Sequence, residues 1–142
     1  MILLDTDHVS VLQIPDSDRR NTLLARIDEA SIDSTIGTTI ITIEEQLRGW
    51  LASIAKERLV KRHARPYREL RKLFLFFTDW HIADFTDAAV AQFEKLKSAK
   101  VRIDTMDLKI ASISLANDAL LLTANKRDFE QVPGLRFENW LV

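Results

Sequence analysis

The chain has no cysteine, only three glycines and three prolines, and three histidines in 142 residues. Without cysteine there is no disulfide and no thiolate metal site. With so few histidines, any bound metal is expected to be a hard ion held by oxygen rather than zinc. Scarce glycine and proline leave little punctuation, so a compact, mostly helical domain with short strands is expected, without linkers or low-complexity tracts. No apolar run approaches the roughly 18 residues of a membrane span. The apolar start Met1-Ile2-Leu3-Leu4 is broken at Asp5, too soon for a signal peptide, so no membrane partner and a cytoplasmic location are expected. The length suits a single domain over residues 1–142 with a sizeable core.

A net charge of −1 argues against a general polyanion binder, but the charges are unevenly placed. Arg48 to Lys72 holds nine Lys or Arg against two acids, a net of +7, which leaves −8 for the remainder. A basic stripe beside an acidic remainder is the footprint of nucleic-acid contact, although a solvated helix face has the same composition. Within the stripe, Lys61, Arg62 and Arg65 are the candidate nucleic-acid-facing residues.

Strands are expected at Ile2–Leu4, Thr38–Thr42, Ile82–Ala83, Ala119–Thr123 and Leu135–Phe137. Helices are expected from Thr6 to Leu12, from Asp18 to Ala30, from Thr42 onward, from Thr86 to Lys97, and from Asp104 or Thr105 as an amphipathic run. The basic region should be helical to about Phe77 with a break near Pro66. Strands alternating with helices imply a parallel sheet covered on both faces.

Acids follow several of these apolar runs. Asp5 and Asp7 follow the first strand, Glu44 and Glu45 the second, and Asn125 and Asp128 the fourth. Asp104 and Asp107 open the late helix. Each has an ordinary explanation. Asp5 suits a helix cap, Thr42 with Glu45 spells a capping box, and Glu44, Asp104 or Asp107 suit a helix first turn. Asn125 is a turn former and Asp128 a solvated loop acid. Together they are harder to dismiss, because in a parallel sheet the carboxyl ends of the strands converge on one crevice. Carboxylates gathered there repel one another unless a cation compensates. Mg²⁺ or Mn²⁺ would do so, and would suit metal-dependent cleavage of a phosphodiester. No Ser-His-Asp set or glycine-rich phosphate loop competes.

The pattern resembles the PIN-domain ribonucleases, and within them the VapC toxins of type II toxin–antitoxin pairs. Leu3-Leu4-Asp5-Thr6-Asp7 is similar to the family's Leu-Asp-Thr-Asn or Leu-Asp-Thr-Asp opening. Thr42, Glu45 and Gly49 match a Thr-x-x-Glu-x-x-x-Gly motif, which makes Glu45 rather than Glu44 the second acid. Asp107-Leu108-Lys109-Ile110-Ala111 resembles the Asp-Leu-x-Ile-Ala segment of the third. Thr123-Ala124-Asn125-Lys126-Arg127-Asp128-Phe129 resembles Thr-x-Asn-x-x-Asp-Phe near the fourth position, held by Asn125 or Asp128. Val132-Pro133-Gly134-Leu135 and Glu138-Asn139-Trp140 are typical of the tail. Asp104 stands where the family often has glycine.

The resemblance implies a three-layer α/β/α PIN-like domain around a mostly parallel four- or five-stranded sheet. It implies a Mg²⁺- or Mn²⁺-dependent endoribonuclease, a homodimer, and a cognate VapB-type antitoxin. Asp5 and Asp107 are the expected metal ligands, and Glu45 would bind metal through water or orient the attacking water. Asn125 or Asp128 would place a second metal or the substrate, with Thr6 and Thr123 as lesser contributors of hydrogen bonds. Two rivals stand beside this. Asp5-Thr6-Asp7-His8-Val9 fits the opening of a haloacid-dehalogenase-like phosphatase, with Asp5 as nucleophile and Asp7 as acid/base, but the later motifs and a cap domain are missing. The other is a PIN-like domain that binds RNA or a partner without catalysis.

Overall fold

Three consecutive apolar residues form the middle of the sheet, because a strand covered on both faces needs no polar alternation. In the computed structural model, which describes all 142 residues, β1 (Ile2–Leu4) lies between β2 (Ile36–Thr39) and β4 (Leu120–Leu122). The order is β3-β2-β1-β4-β5, with β3 at His81–Ala83 and β5 at Arg136–Glu138. All pairings are parallel. The chain steps outward from β1 to β3, then returns to the other side of β1, so the topological switch lies between β1 and β4.

Alternation splits the core in two. Leu3 and Leu121 point to the face covered by α5 (Asp87–Ser98) and α6 (Thr105–Ala116). Ile2, Leu4 and Leu122 point to the face covered by α1 (Thr6–Leu12), α2 (Asp18–Ala30) and α4 (Ala64–Phe76). Leu3, Leu4, Leu121 and Leu122 are fully buried, each contributing about 1.5–3 kcal/mol of transfer free energy. Helix α3 (Ile40–Lys56) follows β2 without a loop, and a short α7 (Lys126–Phe129) sits between β4 and β5.

Four expectations shift. The second strand ends at Thr39, not Thr42, because the Thr39 hydroxyl accepts from the Thr42 amide at 3.2 Å and starts the helix there. The Thr42–Glu45 capping box therefore does not form. The break in the basic region falls at residues 57–63, where Glu57 accepts the Leu59 amide on its side chain and His63 Nε2 on its carbonyl. Pro66 lies inside the first turn of α4, where its missing N–H costs nothing. Helix α6 is not amphipathic: Leu108 and Ile110 to Ser114 are all buried, with Ser112 and Ser114 returning their hydroxyls to the Leu108 and Ile110 carbonyls.

Two glycines should respond in opposite ways to alanine. A Cβ at Gly37 would stand 2.3 Å from the His81 carbonyl oxygen across β2 and β3, whereas at Gly49, inside α3, it meets nothing within 4 Å. Gly49→Ala is expected to stabilise the fold by about 0.5–1 kcal/mol, and Gly37→Ala to destabilise it. Urea unfolding measures both, and a loss of stability in Gly49→Ala would show that its open side is occupied in solution.

Candidate active site

The ends of β1 and β4 meet at the switch point. Asp5 leaves β1 with its amide donating to the Leu122 carbonyl at 2.9 Å. It does cap α1, Oδ1 accepting from the Thr6 amide at 2.8 Å. Its other oxygen accepts the Thr123 hydroxyl at 2.8 Å. The cap uses one oxygen only, so capping and a site role are compatible. Glu45, freed of the capping role, faces back to α1 and accepts the Thr6 hydroxyl at 3.1 Å. Glu44 pairs with Arg48 of its own helix at 2.6 Å.

Asp107 stands in the first turn of α6, and Asp104 caps that helix by accepting from the Met106 amide at 2.9 Å. Asn125 caps α7 and turns its Nδ2 between two acids, 3.0 Å from Asp128 Oδ2 and 3.4 Å from Asp107 Oδ2. Asn125 and Asp128 thus reach the cluster together rather than as alternatives. Lys61, Arg62 and Arg65 do not join it. They are exposed at the tip of the α3–α4 hairpin, where Arg62 and Arg65 line a concavity of about 420 Å³ with Trp50 and Ser53. Ser53 is eight residues beyond Glu45 on α3, or about 12 Å along the axis.

The acids load one another. Burial pushes Asp5 up to about 6, with Asp7 and Asp107 adding to it against the Thr123 and Thr6 hydrogen bonds. Burial likewise takes Asp107 to about 6, helped by Glu45, Asp104, Asp128 and Asp7. Glu45 is raised by burial and by Asp5, Asp104 and Glu44, against the Thr6 hydroxyl. Ion pairs form at Glu44–Arg48, Glu69–Lys72, Asp128–Arg127 and Asp118–Arg136, Asp7 bonds the His8 ring, and none of these contacts includes Asp5, Glu45 or Asp107. Those three are held by neutral donors: the Thr123 hydroxyl, the Thr6 hydroxyl and the Asn125 amide. This all-oxygen donor set fits a hard divalent ion. No three of the acidic or imidazole groups form a ready-made cage.

Asp7 behaves differently. Burial pushes its carboxyl up, but hydrogen bonds from His8 and from the Ala124 amide outweigh it and hold Asp7 below the ordinary value. A carboxylate so committed is a poor proton donor, which weighs against Asp7 as the acid/base of the phosphatase reading. His8, fully buried beside Asp7, has no role in the sequence motifs, since a histidine next to an aspartate carries no signal until the fold buries it.

A family profile described as PIN domain matches residues 2–135. Ribonuclease VapC2 of Rickettsia felis is 30% identical over 85 residues, which span 57% of this chain and 63% of that protein. Among solved structures, VapBC-1 from nontypeable Haemophilus influenzae superposes with a TM-score of 0.75 at 20% identity, covering 100% of both chains. VapBC2 from Rickettsia felis, bound to a DNA fragment from its promoter, gives 0.70 at 23% identity over 99% of each chain. DNA-bound VapBC from Salmonella typhimurium gives 0.74 at 20% identity over 98% of this chain and 97% of that one. These likenesses show the fold.

Crowded acids leave a signature in metal-free stability. Asp5 and Asp107 titrate at about 6 in the folded chain against 3.8 ordinarily. Between those values the folded state binds more protons than the unfolded one, so these groups make stability fall as pH rises from about 4 to about 6. Asp107→Asn is expected to flatten this slope and raise the unfolding midpoint in chelator near pH 7, while keeping an acceptor for Asn125. Urea titrations at about pH 5 and pH 7 check it. An equal or lower midpoint for Asp107→Asn at neutral pH would mean the repulsion is already relieved.

Proposed function

The chain belongs to the PIN-domain family, and from that premise we propose that it is a Mg²⁺- or Mn²⁺-dependent endoribonuclease, the VapC-type toxin of a toxin–antitoxin pair. The observation that carries the reading is the trio Asp5, Glu45 and Asp107 at the switch point, with no basic partner among the ion pairs. In support, the matched relative in Rickettsia felis is a ribonuclease.

Asp5 and Asp107 would hold the ion. When bound, it would polarise a phosphate oxygen and acidify a water. Glu45, half-buried and raised above the ordinary range by burial and its acidic neighbours, would orient the attacking water and accept its proton. Asn125 would keep Asp107 and Asp128 at a set separation and place the scissile phosphate. Lys61, Arg62 and Arg65, away from the chemistry, would hold flanking RNA by phosphate contacts that give affinity without sequence choice.

A VapB-type antitoxin is the proposed partner, because the fold neighbours are VapBC assemblies. An apolar groove of about 410 Å³ lined by Ile40, Ile43, Leu47, Leu73, Phe74, Phe77 and Ile82 supports a protein partner, since exposed apolar patches of this kind mark interaction sites. A homodimer of the single PIN domain belongs to the same proposal. No helix is long and apolar enough to cross a membrane. A PIN-like domain that binds RNA without cutting it is the alternative that experiment must exclude.

Sequencing of new RNA 5′ ends after induced expression should show cut sites with the native chain and none with Asp5→Asn or Asp107→Asn. In purified form, Glu45→Gln is expected to slow cleavage by at least about a hundredfold, with Glu44→Gln near native. Native-level cleavage by Asp107→Asn, or the reverse order of the two glutamates, would defeat the assignment. Charge reversal at Lys61, Arg62 and Arg65 should make the slope of log affinity against log salt shallower by about two, the effect of three lost contacts to single-stranded RNA. An unchanged slope with loss of antitoxin binding would assign these residues to the partner instead.

A further inference from the structure

The mechanism leaves one fully buried titratable side chain unused. His8 is 0% exposed and lies in α1, three residues beyond Asp5. Its Nε2 lies 3.1 Å from the Trp140 backbone nitrogen. That nitrogen can only donate, so Nε2 must accept, and the ring proton is left on Nδ1, which faces Asp7 Oδ1. The tail thereby sets the tautomer of His8. It is itself anchored: the Trp140 indole donates to Glu138 Oε2 at 2.6 Å, and the Arg26 guanidinium lies 4.4 Å from the ring centroid.

From His8 the connection runs into the site. With one oxygen held by Nδ1–H, the other oxygen of Asp7 accepts the Ala124 amide at 2.8 Å. Ala124 is the middle of the turn after β4. On one side, the Thr123 hydroxyl donates to Asp5 at 2.8 Å and accepts the Asn125 amide at 3.1 Å. On the other, the Asn125 side chain bridges Asp107 and Asp128. Within the turn only Ala124 is exposed, and its amide has Asp7 as acceptor, so Asp7 tethers the turn at its middle, between the Thr123 amide bonded to the Glu138 carbonyl and the Lys126 amide bonded to the Ala124 carbonyl.

We propose that His8 is a positioning residue: bound at one end to the Trp140 backbone and at the other to Asp7, it fixes the 123–125 turn and so sets the donors that orient Asp5 and Asp107. The role goes beyond a satisfied core histidine, because its effect is read at the turn and at the carboxylates, not in overall stability. It rests on the proposed metal site only for its second readout below.

Two variants divide the ring between them. In His8→Asn the amide nitrogen stands near the place of Nδ1 and keeps the donor to Asp7. In His8→Gln the amide reaches the place of Nε2 and keeps only the acceptor for Trp140. Amide exchange of the metal-free chain is followed by NMR at Ala124 and Asn125, with core amides of β1 as the control for global stability. His8→Gln is expected to speed exchange at Ala124 by about tenfold or more, with His8→Asn within about threefold of native. Titration with Mn²⁺ alone should then show His8→Gln weakened by about tenfold, the lower end of what losing a direct partner of a ligand costs, because His8 acts through Asp7 and the turn, and His8→Asn near native. Native protection at Ala124 in folded His8→Gln overturns the proposal, as does equal loss in both variants in step with the β1 amides. If neither variant folds, Asp7→Ala decides, because Asp7 is partly exposed: native protection at Ala124 there also overturns it. A native chain that binds no Mn²⁺ would count against the metal site alone, since the exchange readout does not depend on it.

Discussion

The fold gathers negative charge at the carboxyl edge of its sheet with helix N-termini but no cationic side chain against Asp5, Glu45 or Asp107. Asp5 is buried at the centre of the carboxyl edge because β1 is the central strand, and α3 and α6 each bring an acid toward it. A lysine or arginine in the cluster would have relieved the repulsion and filled the site. Instead the three acids are held by hydroxyls and an amide, which orient a carboxylate without cancelling its charge. The energetic cost is carried by the apolar core beneath, where Leu3, Leu4, Leu121 and Leu122 leave no exposed surface.

The neutral donors come from the chain segments that leave β1 and β4. Thr6 opens α1, while Thr123 and Asn125 flank the exposed Ala124. Two adjacent parallel strands therefore supply both the central acid and the groups that aim it. The tail beyond β5 closes on the same place from beneath through Trp140 and His8. The geometry of the acid rim is thus tied to a residue two positions from the end of the chain.

The charge split along the sequence becomes a spatial one. Helix α3 spans it, with Glu45 near its start among the acids and Trp50 and Ser53 beside Arg62 and Arg65 at the hairpin tip. A polyanion crossing this surface would meet positive charge about two helical turns from the acidic rim. On another side of the same hairpin lies the apolar groove, walled by Phe74 and Phe77. One supersecondary unit therefore offers two surfaces of different chemistry, which suits the proposed choice between an RNA and a protein partner.

Much of this was readable before any fold was known. The run Ile2–Leu4, the helix Thr6–Leu12, the helix opening at Thr86 and a mostly parallel sheet follow from patterns along the chain. The candidate acids were legible for the same reason, since an acid just after an apolar run is a local feature. What local pattern misread were places where two local signals competed: Thr39 and Thr42 both suit a helix cap, and only the register of β2 against β1, with Thr38 donating to the Leu4 carbonyl at 2.7 Å, decides between them. The tertiary structure alone decided what depends on contacts across many residues. It brought Asn125 between Asp107 and Asp128, bound Asp7 to the Ala124 amide, and joined His8 to a tail 132 residues away. Sequence by itself determined which residue types stand at strand ends, because that is set by neighbours along the chain. Which of their oxygens converge, and what holds them, is set by neighbours in space.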